Sequence, residues 1–139
     1  MSTTPDIIGP SSIVTSLEWS KKLKEAGWPQ DDYLFIWRGP APQHGRPDWN
    51  LGECFDTHAN DGCFAAPTAE EILRKLPKLI VHKEIHSRLY ITPYENDYEV
   101  GYSPQWNEGI KLNRAEESLA DAAAAMFVFL AEQKLLPTL

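Results

Sequence analysis

Two histidines and two cysteines lie close together in the central part of the chain. His44, Cys54, His58 and Cys63 offer the nitrogen and sulfur ligands that zinc accepts. Their spacing includes Cys-x3-His-x4-Cys but lacks the tight opening Cys pair of familiar zinc fingers. Cys54 and His58 could also form a nucleophile and base pair, but no local motif marks either residue as activated. We therefore predict no metal ligands, no catalytic residues and no cofactor.

Arginines and aromatic residues are a second source of possible chemistry. Aromatic rings stack on nucleobases and Arg guanidinium groups bind phosphates, so such side chains could hold a nucleotide-like ligand without catalysis. Trp49 stands in a Pro- and Gly-containing stretch, where an indole is either a packing anchor or a contact residue, and the packing interpretation is favoured. The predicted ligand- or partner-binding residues are Arg38, His44, Arg46, Trp49, Arg88 and Trp106.

Composition limits the classes of function that remain. The chain has 139 residues, of which 42% are hydrophobic and 24% charged, and its formal net charge is −7. This content predicts one folded domain and argues against general affinity for nucleic acid or for a membrane surface. The segment 1–10 lacks the basic and apolar regions of a secretory signal, and two cysteines are too few for a disulfide scaffold. The predicted location is the cytoplasm.

Two capping patterns predict the helices that must position these side chains. Thr15 and Thr68 each precede a Glu by three residues, which is the capping-box spacing. The first pattern predicts a helix over 16–26 that ends before Gly27, because glycine readily adopts the left-handed conformation found after a helix. The second pattern predicts a shorter helix over 69–76.

The C-terminal segment 118–136 predicts a third helix with ten consecutive apolar residues, 122–131. A helix that is apolar on all sides is buried in protein or spans a membrane, and this run is too short for a span. Its N-terminal cap is either Asn113 or Ser118. The first helix or a second copy of the chain could cover the flank that faces away from the sheet, so a homodimer is one prediction.

Alternating and β-branched patterns predict the strands. They occur at 33–38, 62–66, 79–81, 88–94 and 97–103. The first should be central in its sheet, because both of its faces are largely apolar. The last two predict an antiparallel hairpin, with Pro93 at a strand end or edge.

These elements predict an α+β fold in a single compact domain. Three helices should pack on a small, mainly antiparallel sheet, with the C-terminal helix buried. Residues 1–12 are predicted to form a flexible N-terminal arm, and residues 13–139 the domain. A long loop over 39–67 interrupts the domain, and loops of this length are often functional.

Three segments that carry the predicted helices support a resemblance. The segments are SLEWSKKLKEAG (16–27), AAPTAEEILRKLP (65–77) and SLADAAAAM (118–126). They resemble segments of small proteins encoded by tailed phages and prophages. The resemblance implies a genomic setting rather than an activity. In that setting, small proteins without catalytic motifs often resemble antagonists of host factors, which bind a protein or a signal nucleotide.

The leading hypothesis is a non-enzymatic binding protein, an anti-defence factor that blocks a host protein. The alternative is a protein that sequesters a nucleotide signal in a pocket lined by arginine and aromatic residues, and a small hydrolase is the third hypothesis. A protein-blocking role predicts an exposed apolar or acidic patch and no deep pocket. A sequestering role predicts a concave site where Arg and aromatic groups converge.

Overall fold

The computed structural model describes residues 13–31, 33–40, 42–45, 48–53, 63–82, 85–104 and 112–136. The predicted arm over 1–12 lies outside these ranges. The helices of the described residues are α1 (Leu17–Glu25), α2 (Ala69–Lys75) and α3 (Leu119–Glu132), with a short 3-10 helix over Pro42–His44. The strands are β1 (Phe35–Arg38), β2 (Asn50–Glu53), β3 (Cys63–Ala65), β4 (Leu79–His82), β5 (Ile85–Pro93), β6 (Tyr98–Pro104) and β7 (Leu112–Glu116).

The described strands form two antiparallel sheets rather than one. The first has the order β2-β1-β3 and the second the order β4-β5-β6-β7. The predicted hairpin is confirmed as β5 and β6, in which Tyr90 lies opposite Gly101. The prediction of a central first strand is also confirmed, because β1 pairs on both sides. The predicted α+β class is therefore confirmed, with its strands divided between two sheets.

Helix α3 lies at the centre of the fold. Its residues 122–127 and Leu130 are buried, and it packs against α1, α2, β6 and β7. The cover that this apolar helix requires is thus provided by α1 and α2 of the same chain, together with the sheet. The buried alanines allow neighbouring elements to approach the helix closely, because their side chains are small.

Two aromatic side chains fix the core around α3. The ring of Phe127 is fully buried and meets Trp28 edge-on, with centroids 5.1 Å apart. The Tyr102 hydroxyl donates a hydrogen bond of 2.6 Å to the Pro77 carbonyl. Burial raises the pKa of Tyr102 above its ordinary value, so the hydroxyl remains a donor at neutral pH. This bond satisfies the single polar atom of a side chain that is otherwise surrounded by apolar groups.

The N-terminal cap of α1 differs from the prediction by one residue. Ser16, not Thr15, is the cap, and its hydroxyl accepts from the Trp19 amide. The Thr15 hydroxyl is fully buried and bonds that of Ser20 at 2.6 Å. The Thr15 side chain therefore forms a hydrogen bond inside the protein, and Ser16 caps the helix. The predicted end of the helix is confirmed, since Gly27 has a φ of 103°.

The other two helices begin as the capping patterns predict. Thr68 forms a complete capping box at the start of α2, and the Ser118 hydroxyl accepts from the Asp121 amide at the start of α3. The alternative cap at Asn113 is wrong, because that residue lies within β7 and pairs with Gly101 of β6. Strand pairing here outweighs a local capping pattern.

Backbone bonds connect the first sheet to the segment that leads into α2. The Thr15 amide donates to the Pro67 carbonyl, and the Ala66 amide donates to the Phe35 carbonyl, at 3.0 and 2.9 Å. The Trp37 indole nitrogen donates to the Thr15 carbonyl at 2.9 Å. These bonds hold the first sheet next to the start of α1.

The segment 39–67, predicted as a long loop, contains the additional strand β2. Leu51 of β2 lies opposite Trp37 of β1. Gly52 leaves room for the Arg38 side chain, since a Cβ atom at position 52 would lie 2.9 Å from Arg38 Nε. Cross-strand packing against β1 thus makes a strand of a segment whose own β-propensity is low.

Candidate functional site

One face of the four-stranded sheet packs on α3, and the opposite face, here called the outer face, is exposed. Val100 and Tyr102 point toward the core and are fully buried. Because side chains alternate along a strand, their neighbours Gly101 and Ser103 belong to the outer face. Residues directly opposite one another in the pairing register share a face. The outer face therefore carries Leu79, Val81, His86, Arg88, Tyr90, Thr92, Glu99, Gly101, Ser103, Asn113 and Ala115.

Two large apolar side chains are exposed on β4. Leu79 is 43% exposed and Val81 is 55% exposed, whereas Ile80 between them is 7% exposed and belongs to the core. This alternation places Leu79 and Val81 side by side on the outer face. Among the described strands, β4 lies at the end of its sheet and pairs only with β5. An exposed apolar pair at the edge of a sheet is typical of an interaction surface.

Basic side chains lie next to this apolar pair. A shallow hollow of about 440 Å³ is lined by Lys78, Leu79, His86, Arg88 and Leu89. Arg88 lies directly opposite Leu79, and His86 lies directly opposite Val81. No acidic residue lines this hollow among the residues that the structure describes, although the whole chain has a net charge of −7. The β4 side of the outer face is therefore apolar with a basic rim.

Tyrosine hydroxyls and a carboxylate meet on another part of the outer face. Tyr90 and Tyr94 both donate to the carboxylate of Glu99, the second at 3.1 Å. Burial and then the Glu99 carboxylate raise the pKa of Tyr90. The hydrogen bond to Glu99 raises the pKa of Tyr94. Both hydroxyls stay protonated at neutral pH, so they act as donors that hold the carboxylate and not as bases.

A second hollow, of about 570 Å³, lies beside α2. It is lined by Trp28, Pro29, Asp31, Glu71, Arg74 and Lys75. Its charged groups already serve the fold: Glu71 completes the capping box of α2 and Arg74 pairs with Glu70 one turn away. The Lys75 ammonium lies 5.7 Å from the centre of the Trp28 ring. Acids and bases are mixed in this hollow, so it favours no one ligand charge.

Arg38 and Trp49 lie on opposite faces of the three-stranded sheet. The Arg38 guanidinium donates to the Asn50 side chain at 2.8 Å, on the face that carries Gly52. Trp49 lies against Phe64, with ring centroids 5.7 Å apart. The Lys21 ammonium lies 5.1 Å from the centre of the Trp49 ring. The indole is half-buried, and these contacts are those of a residue that packs within the fold.

The remaining predicted residues fall in different places. Arg88 lies on the outer face of the four-stranded sheet, away from the sheet that carries Arg38. His44 ends the 3-10 helix, and its side chain lies outside the described part of the structure, as do Arg46 and Trp106. Of the predicted side chains that the structure describes, Arg38, Trp49 and Arg88, only Arg88 lies at the apolar patch on β4. That the set forms one site stays a prediction.

The metal prediction concerns residues that are mostly outside the described ranges. Cys63 lies in β3 with a free thiol, whereas Cys54 and His58 lie outside. Within the described ranges, no group of three or more His, Cys, Asp or Glu side chains is placed to hold a metal ion. The prediction of no metal site therefore remains a prediction.

Sequence reasoning did not find Leu79 and Val81 as candidate contact residues. The signal was present, because both flank the core residue Ile80 in a short strand. Their exposure depends on β4 being the end strand of the sheet, and strand order follows from tertiary pairing that the local pattern does not contain. The sequence indicated this surface by its basic residues near a short apolar strand, namely Lys78, His86 and Arg88.

No protein family, curated protein or solved structure matches this chain. Of the helices in the described ranges, none combines the length and apolar composition that a membrane span requires. The candidate site therefore rests on the geometry of the outer face alone.

Proposed function

We propose that this chain is a non-enzymatic binding protein that holds a partner protein on the β4 side of the outer face. The observation that carries the proposal is the exposed pair Leu79 and Val81 on an end strand, with His86 and Arg88 beside them. Removing apolar surface from water against a partner is favourable by about 25 cal/mol per Å² before the entropic and desolvation costs of association are subtracted. The neighbouring Arg88 cation adds specificity and faster association with a partner of opposite charge.

The alternation of β4 makes this surface unusual for an edge strand. Soluble proteins commonly protect edge strands with charged side chains, prolines or bulges, because unpaired edges promote aggregation. The two outward side chains of β4, Leu79 and Val81, are instead large and apolar. A partner that covers them would remove both the apolar area and the open edge from water. The same geometry does not suggest catalysis, since the outer-face carboxylate of Glu99 is held by two hydroxyls.

The biological setting that we propose is that of a phage protein that blocks a host protein in the bacterial cytoplasm. Its support is the resemblance of three helical segments to phage and prophage proteins, together with the binding surface described above. Blocking requires only that the partner's own working surface be occupied, so a surface without catalytic groups is sufficient.

Differential capture from a bacterial host lysate tests the proposal. Val81→Glu places a charge in the apolar pair, and we expect it to abolish capture of the partner. Leu34→Glu is the matched control, because Leu34 is also apolar and 54% exposed but lies before β1. Equal capture by the wild type and the Val81 variant would overturn the proposal, as would equal loss in both variants.

A nucleotide-binding function is the second candidate, favoured by the aromatic surface on the three-stranded sheet. Trp49 and Phe64 lie together there, and the Lys21 and Lys24 ammonium groups lie 5.1 Å from the ring centres of Trp49 and Phe64, respectively. A base could stack on such rings by displacing the lysines, which would then meet its phosphates. Quenching of tryptophan fluorescence by nucleotides, abolished in Lys21→Ala and Lys24→Ala, would favour this function over protein binding. Turnover of any bound nucleotide would instead favour the hydrolase hypothesis.

A further inference from the structure

We infer that the partner presents an extended, acidic segment that joins the four-stranded sheet as an additional strand beside β4. This inference rests on the proposed function, since it specifies the chemistry of the partner at the same surface. It is carried by the direction of the β4 backbone groups, the state of the other sheet edges and the charge around Leu79 and Val81.

The backbone of β4 has hydrogen-bonding groups that point away from the sheet. The Leu89 amide donates to the Lys78 carbonyl at 3.0 Å, so residue 78 faces β5. In an antiparallel pair the residues that bond to the neighbouring strand alternate with those that face away. The backbone amide and carbonyl of Ile80 therefore point toward β5, as those of Lys78 do. The amides and carbonyls of Leu79 and Val81 point the other way, out from the edge of the sheet. These are also the two residues whose side chains are exposed.

On two of the other described edges, β3 and β7, a side chain bonds an outward backbone group. On β3, the Gln30 side chain accepts a bond of 2.9 Å from the Ala65 amide. On β7, the Arg114 guanidinium donates to the Asn113 carbonyl at 2.6 Å. In the described part of the chain, no side chain bonds the outward groups of Leu79 or Val81. Strand addition is a common mode of peptide recognition because such groups give affinity through main-chain bonds.

The charge around the edge identifies the class of segment. Lys78, His86 and Arg88 line the hollow beside β4, and no described acidic residue shares it. Apolar side chains of an added strand would cover Leu79 and Val81, and the carboxylates that alternate with them would lie on the other face of the strand, beside Lys78 at the start of β4. A second copy of this chain fits less well, because a β4 to β4 pairing would bring two sets of the same cations together.

The first test uses wild-type protein and a synthetic peptide that alternates Glu and Val. Hydrogen exchange followed by NMR reports on individual amides, and in the free protein we expect those of Leu79 and Val81 to exchange fast. On addition of the peptide we expect both to become protected, since the new strand would accept bonds from them. A peptide that alternates Lys and Val is the charge control, and it should bind at least about tenfold more weakly.

Two substitutions at one position separate strand addition from simple contact with the face. Val81→Pro removes the outward amide but keeps an apolar side chain and leaves the β5 pairing intact. Val81→Thr keeps the amide and removes apolar area. Strand addition predicts that the proline variant loses peptide binding and the threonine variant only weakens it. Thermal melts check folding, and the exchange experiment on the wild type decides the outcome if the proline variant is unfolded.

Charge reversal provides an independent arm. We expect Lys78→Glu to weaken binding of the Glu-Val peptide by about tenfold or more and to improve binding of the Lys-Val peptide. Failure of wild-type protein to protect the two amides with either peptide would overturn the inference. If capture of the partner still depended on Val81, the proposed function would stand and only strand addition would be wrong. A concentration-dependent dimer of wild-type protein that Val81→Glu dissociates would instead assign the edge to a second copy and overturn the inference.

Discussion

Asp121 shows how a single side chain links two helices at the residue scale. It lies in the first turn of α3, and its carboxylate accepts a bond of 2.8 Å from the Ser16 amide at the start of α1. Burial raises the pKa of Asp121 above its ordinary value of 3.8. A raised pKa in the folded state means that folding favours the neutral acid. The contribution of this carboxyl to the free energy of unfolding is therefore fully present at pH values below its unfolded pKa. It is lost as the pH rises through the folded pKa.

Replacing this carboxylate tests the assignment. Asp121→Asn keeps an oxygen that can accept from the Ser16 amide and removes the buried charge. We expect its free energy of unfolding to equal or exceed that of the wild type at neutral pH. The difference should vanish in acid, where the wild-type carboxyl is neutral too. Chemical denaturation at both pH values measures this.

The matched variant is Asp121→Ala, which removes the acceptor altogether. It should be less stable than the asparagine variant by about 1 kcal/mol at either pH, because the Ser16 amide loses its partner. A lower stability of the asparagine variant at neutral pH, with equality in acid, would show that the ionised carboxylate stabilises the fold and that burial is not the dominant effect.

Helix α3 carries the largest prediction at the scale of elements. Phe127 is fully buried and contacts Trp28 edge-on. We expect Phe127→Ala to lower the free energy of unfolding by about 3–5 kcal/mol, because the surrounding elements can only partly fill the cavity. Glu132→Ala, at an exposed position of the same helix, should change it by less than about 0.5 kcal/mol. Similar melting temperatures for the two variants would show that α3 is not central to stability.

The elements also show which parts of the fold a sequence can predict. The caps and apolar patterns of helices α1, α2 and α3 are formed by residues close together in sequence. The structure places these helices close to the predicted bounds. Strands β2 and β7 were missed because their residues, such as Asn50 and Asn113, have little β-propensity. Each becomes a strand by pairing with the strand that precedes it in the chain, β1 and β6 respectively.

The candidate site was less predictable than the fold for the same reason. Arg88 could be named from its residue type, but its neighbours Leu79 and Val81 matter only because β4 is an end strand. Trp49 could be named as either an anchor or a contact residue, and its ring contact with Phe64 depends on pairing between β1 and β3. Residue type identifies possible chemistry, whereas tertiary pairing decides which side chains share a surface.

One hydrophobic core serves both sheets at the scale of the whole molecule. Ala65 comes from the three-stranded sheet and Val100 from the four-stranded sheet, and both belong to the same cluster of buried side chains as Leu23 and Phe127. The three-stranded sheet therefore packs on the same core as the four-stranded sheet. A three-stranded sheet of short strands is marginal by itself and depends on packing against the rest of the chain.

This shared core predicts that the two sheets unfold together. In denaturant, the loss of secondary structure and the loss of tertiary packing around Trp28 should follow one transition with the same midpoint, since residues of both sheets lose the same neighbours at once. Far-UV circular dichroism and tryptophan fluorescence measure the two. Native-state hydrogen exchange adds the decisive comparison, because the amides of Ile36 in β1 and Val100 in β6 should open with the same free energy. If β1 opened at much lower denaturant than β6, the smaller sheet would be a separate unit, and the single-core description would be wrong.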